Sequence, residues 1–114
     1  MSLRAILIST AVLLAACSTQ PQVSTETAAA DACAARGGTM TPVGRAQTLQ
    51  CVVRFSDGGK TCFDNANCQG KCYSTGRQLE GSGKPYGQCA VDSNPFGCRS
   101  EMNQGVASPT LCRD

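Results

Sequence analysis

Hydrophobic positions along the chain fall into three regimes. Residues 5–16 (AILISTAVLLAA) form an unbroken, uncharged run of twelve. A membrane-spanning helix needs about 20 apolar residues, so this run is too short for a permanent anchor. From Ser18 to Thr25 the chain is polar, with Pro21 and with Val23 as its one larger apolar residue, the pattern of a flexible tether. From Asp31 onward the larger apolar residues are scattered, and Leu49, Val53 and Phe55 are among the few that fall into a period.

That sparse pattern still predicts elements. Residues 26–36 (ETAAADACAAR) are expected to be a short helix, because alanine has the highest helix propensity. Ser24 or Thr25 caps its start, Glu26 lies in its first turn and Arg36 in its last, and Gly37-Gly38 stops it. Thr48 to Phe55 alternates as a strand, with Leu49, Cys51, Val53 and Phe55 on one face. Ser56-Asp57-Gly58-Gly59 is a turn, which predicts a hairpin over residues 48–63 with Lys60 to Phe63 as the return strand. Asp64 to Cys72 is expected to be a turn or single helical turn, and Tyr73 to Lys84 a polar, glycine-rich loop. Tyr86 to Val91 is a third strand and Asn94-Pro95-Phe96-Gly97 a type I turn. Cys98 to Gln104 is expected to be a short helix and Thr110 to Arg113 a last short strand.

Composition changes the picture of stability. The chain has 114 residues, room for one domain, with no Trp and twelve glycines between Gly37 and Gly105. Such a domain buries too little apolar surface to offset its ordering entropy comfortably. Nine cysteines supply the difference: Cys17, Cys33, Cys51, Cys62, Cys68, Cys72, Cys89, Cys98 and Cys112. Eight of them, from Cys33 onward, make an even set able to form four disulfides. At roughly 2–4 kcal/mol each, four bridges rival the whole net stability of a typical domain. The expected fold class is therefore small and disulfide-rich, with a short N-terminal helix, a small antiparallel sheet and many loops. About 105 connectivities are open to eight cysteines. Cys68 and Cys72, four apart, would share a face if helical and so bridge to other segments rather than to each other.

The leader accounts for the ninth cysteine. Met1 to Arg4 is a short basic start, residues 5–16 have signal-peptide length, and the run ends in Leu14-Ala15-Ala16-Cys17. That tetrapeptide resembles the lipobox of bacterial lipoproteins. The resemblance implies that residues 1–16 are removed as a signal peptide and that the Cys17 thiol carries a diacylglyceryl group. Residues 17–25 would then be a lipidated tether and 26–114 the stapled domain. The membrane would be a partner through the lipid, since two or three chains at about 0.8 kcal/mol per buried methylene hold essentially permanently. Ser18, in place of the Asp that retains such proteins at the inner membrane, implies the outer membrane, on either leaflet. The stretches Asp57-Gly58-Gly59-Lys60-Thr61-Cys62, Cys68-Gln69-Gly70-Lys71-Cys72, Asn94-Pro95-Phe96-Gly97-Cys98 and Leu111-Cys112 are similar to small cysteine-rich lipoproteins of proteobacteria. This second resemblance implies an envelope location and adds no mechanism.

Candidate chemistry is narrow. The chain has no His, which removes Ser-His-Asp and Cys-His catalysis and His-based zinc or haem ligation. Ser82 and Lys84 sit in the glycine-rich loop, poorly placed for a Ser-Lys pair that needs rigid, desolvated positioning. No Cys-x2-Cys pair is present, so no metal site, cofactor or redox motif is expected. Ten Lys and Arg stand against eight Asp and Glu, nine against eight without Arg4, with no basic block and hence no expected nucleic-acid partner. The expectation is a lipid-anchored, non-enzymatic envelope protein, an accessory or protein-binding module. The alternative is a small inhibitor of exogenous serine proteases, with Arg77 and Lys84 of the Tyr73–Gln88 loop as candidate bait residues; a plain solvated connector is the simpler account of that loop.

Overall fold

The computed structural model describes residues 24–114; Cys17, the leader and most of the tether lie outside them. The chain forms one helix and a set of small antiparallel sheets joined by loops and four disulfides. This is the small disulfide-rich class expected from the cysteines and the sparse apolar pattern.

Helix α1 covers Thr25–Ala35. Ser24 caps it, its hydroxyl oxygen accepting from the Thr27 amide at 3.3 Å. The helix ends where the Gly37 amide donates to the Ala34 carbonyl and Gly37 takes φ +74°. Only Cys33 is buried, because an alanine helix has little apolar surface to dock. The Cys33–Cys51 disulfide therefore fixes it. An isolated helix of this length is marginal in water.

Strands β1 (Gly38–Val43) and β2 (Thr48–Val53) pair antiparallel from Gly38 opposite Val53 to Val43 opposite Thr48. The strand expected from Thr48 is present, but its partner precedes it instead of following it. Pro42 masks β1 in the sequence, since proline is tolerated only on an edge strand, which β1 is. The Ser56–Gly59 turn forms, with the Lys60 amide donating to the Asp57 carbonyl at 3.0 Å. It links two sheets rather than closing a hairpin over 48–63. The chain beyond β2 is taken by residues 91–93: Phe55 donates to the Val91 carbonyl, Ser93 to the Val53 carbonyl, and Arg54 bridges Asp92.

The central sheet has the order β3-β5-β4, with β3 at Thr61–Cys62, β4 at Cys72–Gln78 and β5 at Pro85–Cys89. Residues 73–78, expected to be loop, are strand. Gly76, at φ +69°, lies within the irregularity between Ser74 and Gln78 instead of ending the strand. Asn65–Asn67 is a single 3-10 turn, capped by the Asp64 carboxylate accepting from the Ala66 amide at 2.8 Å.

The last segment also departs from expectation. Residues 98–104 are not helical: β6 (Gly97–Arg99) pairs with β9 (Leu111–Arg113), and β7 (Met102–Asn103) with β8 (Val106–Ala107). Gln104 and Gly105 both have positive φ, the pattern of a tight hairpin turn. Asn94–Gly97 forms no type I turn; the Asn94 side chain accepts the Phe96 amide and Gly97 enters β6 at φ +103°.

One face of the central sheet is filled by Cys62, Cys72, Cys89 and Met102, all at most 2% exposed, with Cys68 packed against them. The core is largely sulfur. Gly87 lies in it because a Cβ there would sit 2.6 Å from the Tyr73 carbonyl and 2.7 Å from Cys72 Sγ.

Candidate functional site

Strand alternation sends neighbouring residues to opposite faces. With Cys62, Cys72, Gly87 and Cys89 turned into the core, Thr61, Tyr73, Tyr86 and Gln88 take the other face of the central sheet. Both tyrosines of the protein are thus on one outer face, on adjacent strands. Tyr73 pairs with Gln88, two residues from Tyr86.

Two arginines join them. Arg77 extends from the exposed end of β4. Arg99 arrives from β6, because residues 99–101 run along the free edge of β4: the Ser74 amide donates to the Ser100 carbonyl at 2.7 Å and Tyr73 bridges Glu101. The Arg99 guanidinium carbon lies 4.9 Å from the centre of the Tyr73 ring, within cation–π range. A shallow groove of about 440 Å³ follows, lined by Tyr73, Thr75, Arg77, Tyr86, Gln88 and Arg99 among others, with two arginines and no carboxylate in its lining.

The Arg99–Tyr73 stack also borders a larger open cleft of about 1000 Å³ between the central sheet and the C-terminal strands, which Phe55 and Leu111 line. One ion pair is built into its wall. Lys71 Nζ donates to Glu101 Oε2 at 3.0 Å, and Asn65 Nδ2 donates to the same oxygen at 2.9 Å. The Asn65 hydrogen bond, then Lys71, holds the Glu101 carboxyl below its ordinary range. Glu101 is thus an acceptor that orders the wall, not a proton donor. Asn65 Oδ1 also accepts the Cys72 amide at 2.8 Å, tying this cluster to β4.

Of the residues singled out from sequence, all eight described cysteines are paired: Cys33–Cys51, Cys62–Cys72, Cys68–Cys89 and Cys98–Cys112. Cys68 and Cys72 bridge to other segments, not to each other. Arg77 belongs to the tyrosine face. Lys84 is exposed at the base of the hairpin tip, where the Leu79 amide donates to its carbonyl at 2.8 Å; Ser82 is exposed at the tip. Arg77 and Lys84 thus flank a closed hairpin rather than an extended loop. Tyr73, Tyr86, Arg99 and Glu101 are site residues that sequence reading missed, since they meet only through strand pairing. The alternation Tyr86-Gly87-Gln88-Cys89 was the one available signal, as it opposes an outward Tyr to an inward Cys.

No protein-family model, curated protein or solved structure matches this chain.

Proposed function

We propose that the protein is a lipid-anchored, non-enzymatic module of the bacterial envelope, held at the outer membrane by Cys17, and that it binds a protein partner through the tyrosine–arginine face of its central sheet. The observation that carries the binding reading is the gathering of Tyr73, Tyr86, Arg77 and Arg99 on one solvent face. Tyrosine and arginine dominate binding hot spots, and a groove lined by two arginines and no carboxylate suits an acidic surface. The anchoring reading is supported by cysteine arithmetic. All eight described cysteines bond among themselves, so none of them is a disulfide partner for Cys17, which supports reading Cys17 as the lipid-bearing residue. Four disulfides also suit an oxidising compartment.

Site-specific photocrosslinking in the cell tests this. A crosslinker at Gln88, exposed on the face, should give a discrete protein adduct that disappears in Arg77→Ala/Tyr86→Ala. No adduct from Gln88, or one equal to that from Glu80 at the hairpin tip, would overturn the face assignment. Purified single variants decide about protease inhibition. Stoichiometric inhibition of a trypsin-like enzyme, lost in Arg77→Ala or Lys84→Ala, would replace the accessory reading with the inhibitor one.

A further inference from the structure

The two disulfides under the central sheet are not separate staples. Cys62, Cys68 and Cys89 have their Sγ atoms within 4.8 Å of one another, although Cys62 is bonded to Cys72 and Cys68 to Cys89. Four sulfurs therefore share one small volume. Cys72 and Cys89 are cross-strand partners on β4 and β5, Cys62 comes from β3, and Cys68 follows the 3-10 turn. Cys62, Cys72 and Cys89 are almost fully buried, and Cys68 is the half-buried entry.

We propose that the reduced domain binds one divalent thiophilic cation of the zinc class on Cys62, Cys68, Cys72 and Cys89, so that its core has two alternative cross-links, disulfide and metal. A tetrahedral site with metal–sulfur bonds of about 2.3 Å places its sulfurs about 3.8 Å apart. The sulfurs lie near that arrangement: the bonded pairs separate, the Cys62 sulfur, already within 4.8 Å of those of Cys68 and Cys89, closes on them slightly, and the Cys72 sulfur, held beside it by the Cys62 bridge, turns to the same centre. Soft thiolates in a water-poor pocket select zinc-like ions over hard cations. The ligand order Cys-x5-Cys-x3-Cys-x16-Cys lacks the usual Cys-x2-Cys pair, because strand pairing rather than local spacing assembles the set. The other two bridges belong to no such cluster among the described residues.

The chemistry balances. Each bridge takes two electrons and two protons from one dithiol, which leaves as its own disulfide, and four thiols result. Metal binding expels those four protons as four sulfur–metal bonds form.

The test uses the full chain in detergent, reduced anaerobically with a dithiol that is then removed. Cobalt(II) should bind at one equivalent, with thiolate-to-metal charge-transfer absorption and the visible bands of a tetrahedral site. Zinc should then protect Cys62, Cys68, Cys72 and Cys89 from alkylation, with Cys33, Cys51, Cys98 and Cys112 modified at least tenfold faster. Cys68→Ser should weaken cobalt binding tenfold or more, whereas Cys98→Ser should leave it unchanged. Absence of charge transfer at one equivalent, or protection spread evenly over all eight thiols, would overturn the proposal. The alkylation pattern is read on the unsubstituted chain, so the result stands even if a variant fails to fold.

Discussion

At the scale of single residues, the sulfur core makes one glycine indispensable. A methyl at Gly87 meets the Tyr73 carbonyl and Cys72 Sγ at under 3 Å, and neither a strand backbone nor a bridged sulfur yields easily. Gly87→Ala should cost about 1–3 kcal/mol, in line with overpacked cores, and lower the thermal midpoint of the oxidised domain. An unchanged midpoint would contradict this packing. Two carboxylates contribute to the acid response. Backbone amides of Ala66 and Gln104 hold Asp64 below its ordinary 3.8, and Asn65 with Lys71 holds Glu101 below 4.5. Their stabilisation is complete above those ordinary values and is lost as pH falls through the lower folded ones. The thermal midpoint should therefore drop on acidification from about pH 5 to about pH 2, and less steeply in Glu101→Gln. Parallel profiles for the two proteins would remove Glu101 from the account.

At the scale of elements, the bridges should differ in kind. Cys98–Cys112 joins exposed β6 and β9, whereas Cys62–Cys72 is buried in the core. Limited reduction followed by alkylation mapping should open Cys98–Cys112 first. Cys62→Ser/Cys72→Ser should cost about 2–5 kcal/mol and abolish cooperative melting, while the Cys98→Ser/Cys112→Ser pair should retain the central sheet. The reverse order of reduction would show that exposure does not govern these bridges. Elements with local punctuation were legible in the sequence: α1 has its alanines, Ser24 and Gly37, and β2 has its alternation. Pairing partners were not. The Ser56–Gly59 turn is correct as a turn and silent about what it joins, because Cys62 is drawn under β5 by its bridge to Cys72. Gly76 suggested a loop where it marks a strand irregularity, and residues 98–104 suggested a helix where Met102 had to reach the core. The candidate site was least legible of all. Tyr73, Tyr86, Arg77 and Arg99 belong to three strands whose registers no spacing encodes.

At the scale of the molecule, the proposed anchor and the described domain divide the work. Among the described residues no helix is long and apolar enough to cross a membrane, and the anchoring proposal assigns that task to lipid on Cys17. Cys17→Ala should move the protein out of the membrane fraction or trap its precursor. Retained processing together with retained membrane association would count against lipidation. If the anchor holds as proposed, α1 connects the tether to the sheets, and the Cys33–Cys51 bridge fastens that helix to β2.

A core built from sulfur bridges has a thermal consequence. The heat capacity of unfolding comes mainly from apolar surface newly exposed to water. Here little is hidden beyond Met102, Val43, Ala90 and the four buried cysteines Cys33, Cys62, Cys72 and Cys89, and the bridges keep the unfolded chain from opening fully. Calorimetry should give a heat-capacity increment below the usual value of about 12–15 cal/mol/K per residue. The curve of stability against temperature would then be broad and shallow, leaving the oxidised domain nearly as well folded in the cold as in the warm.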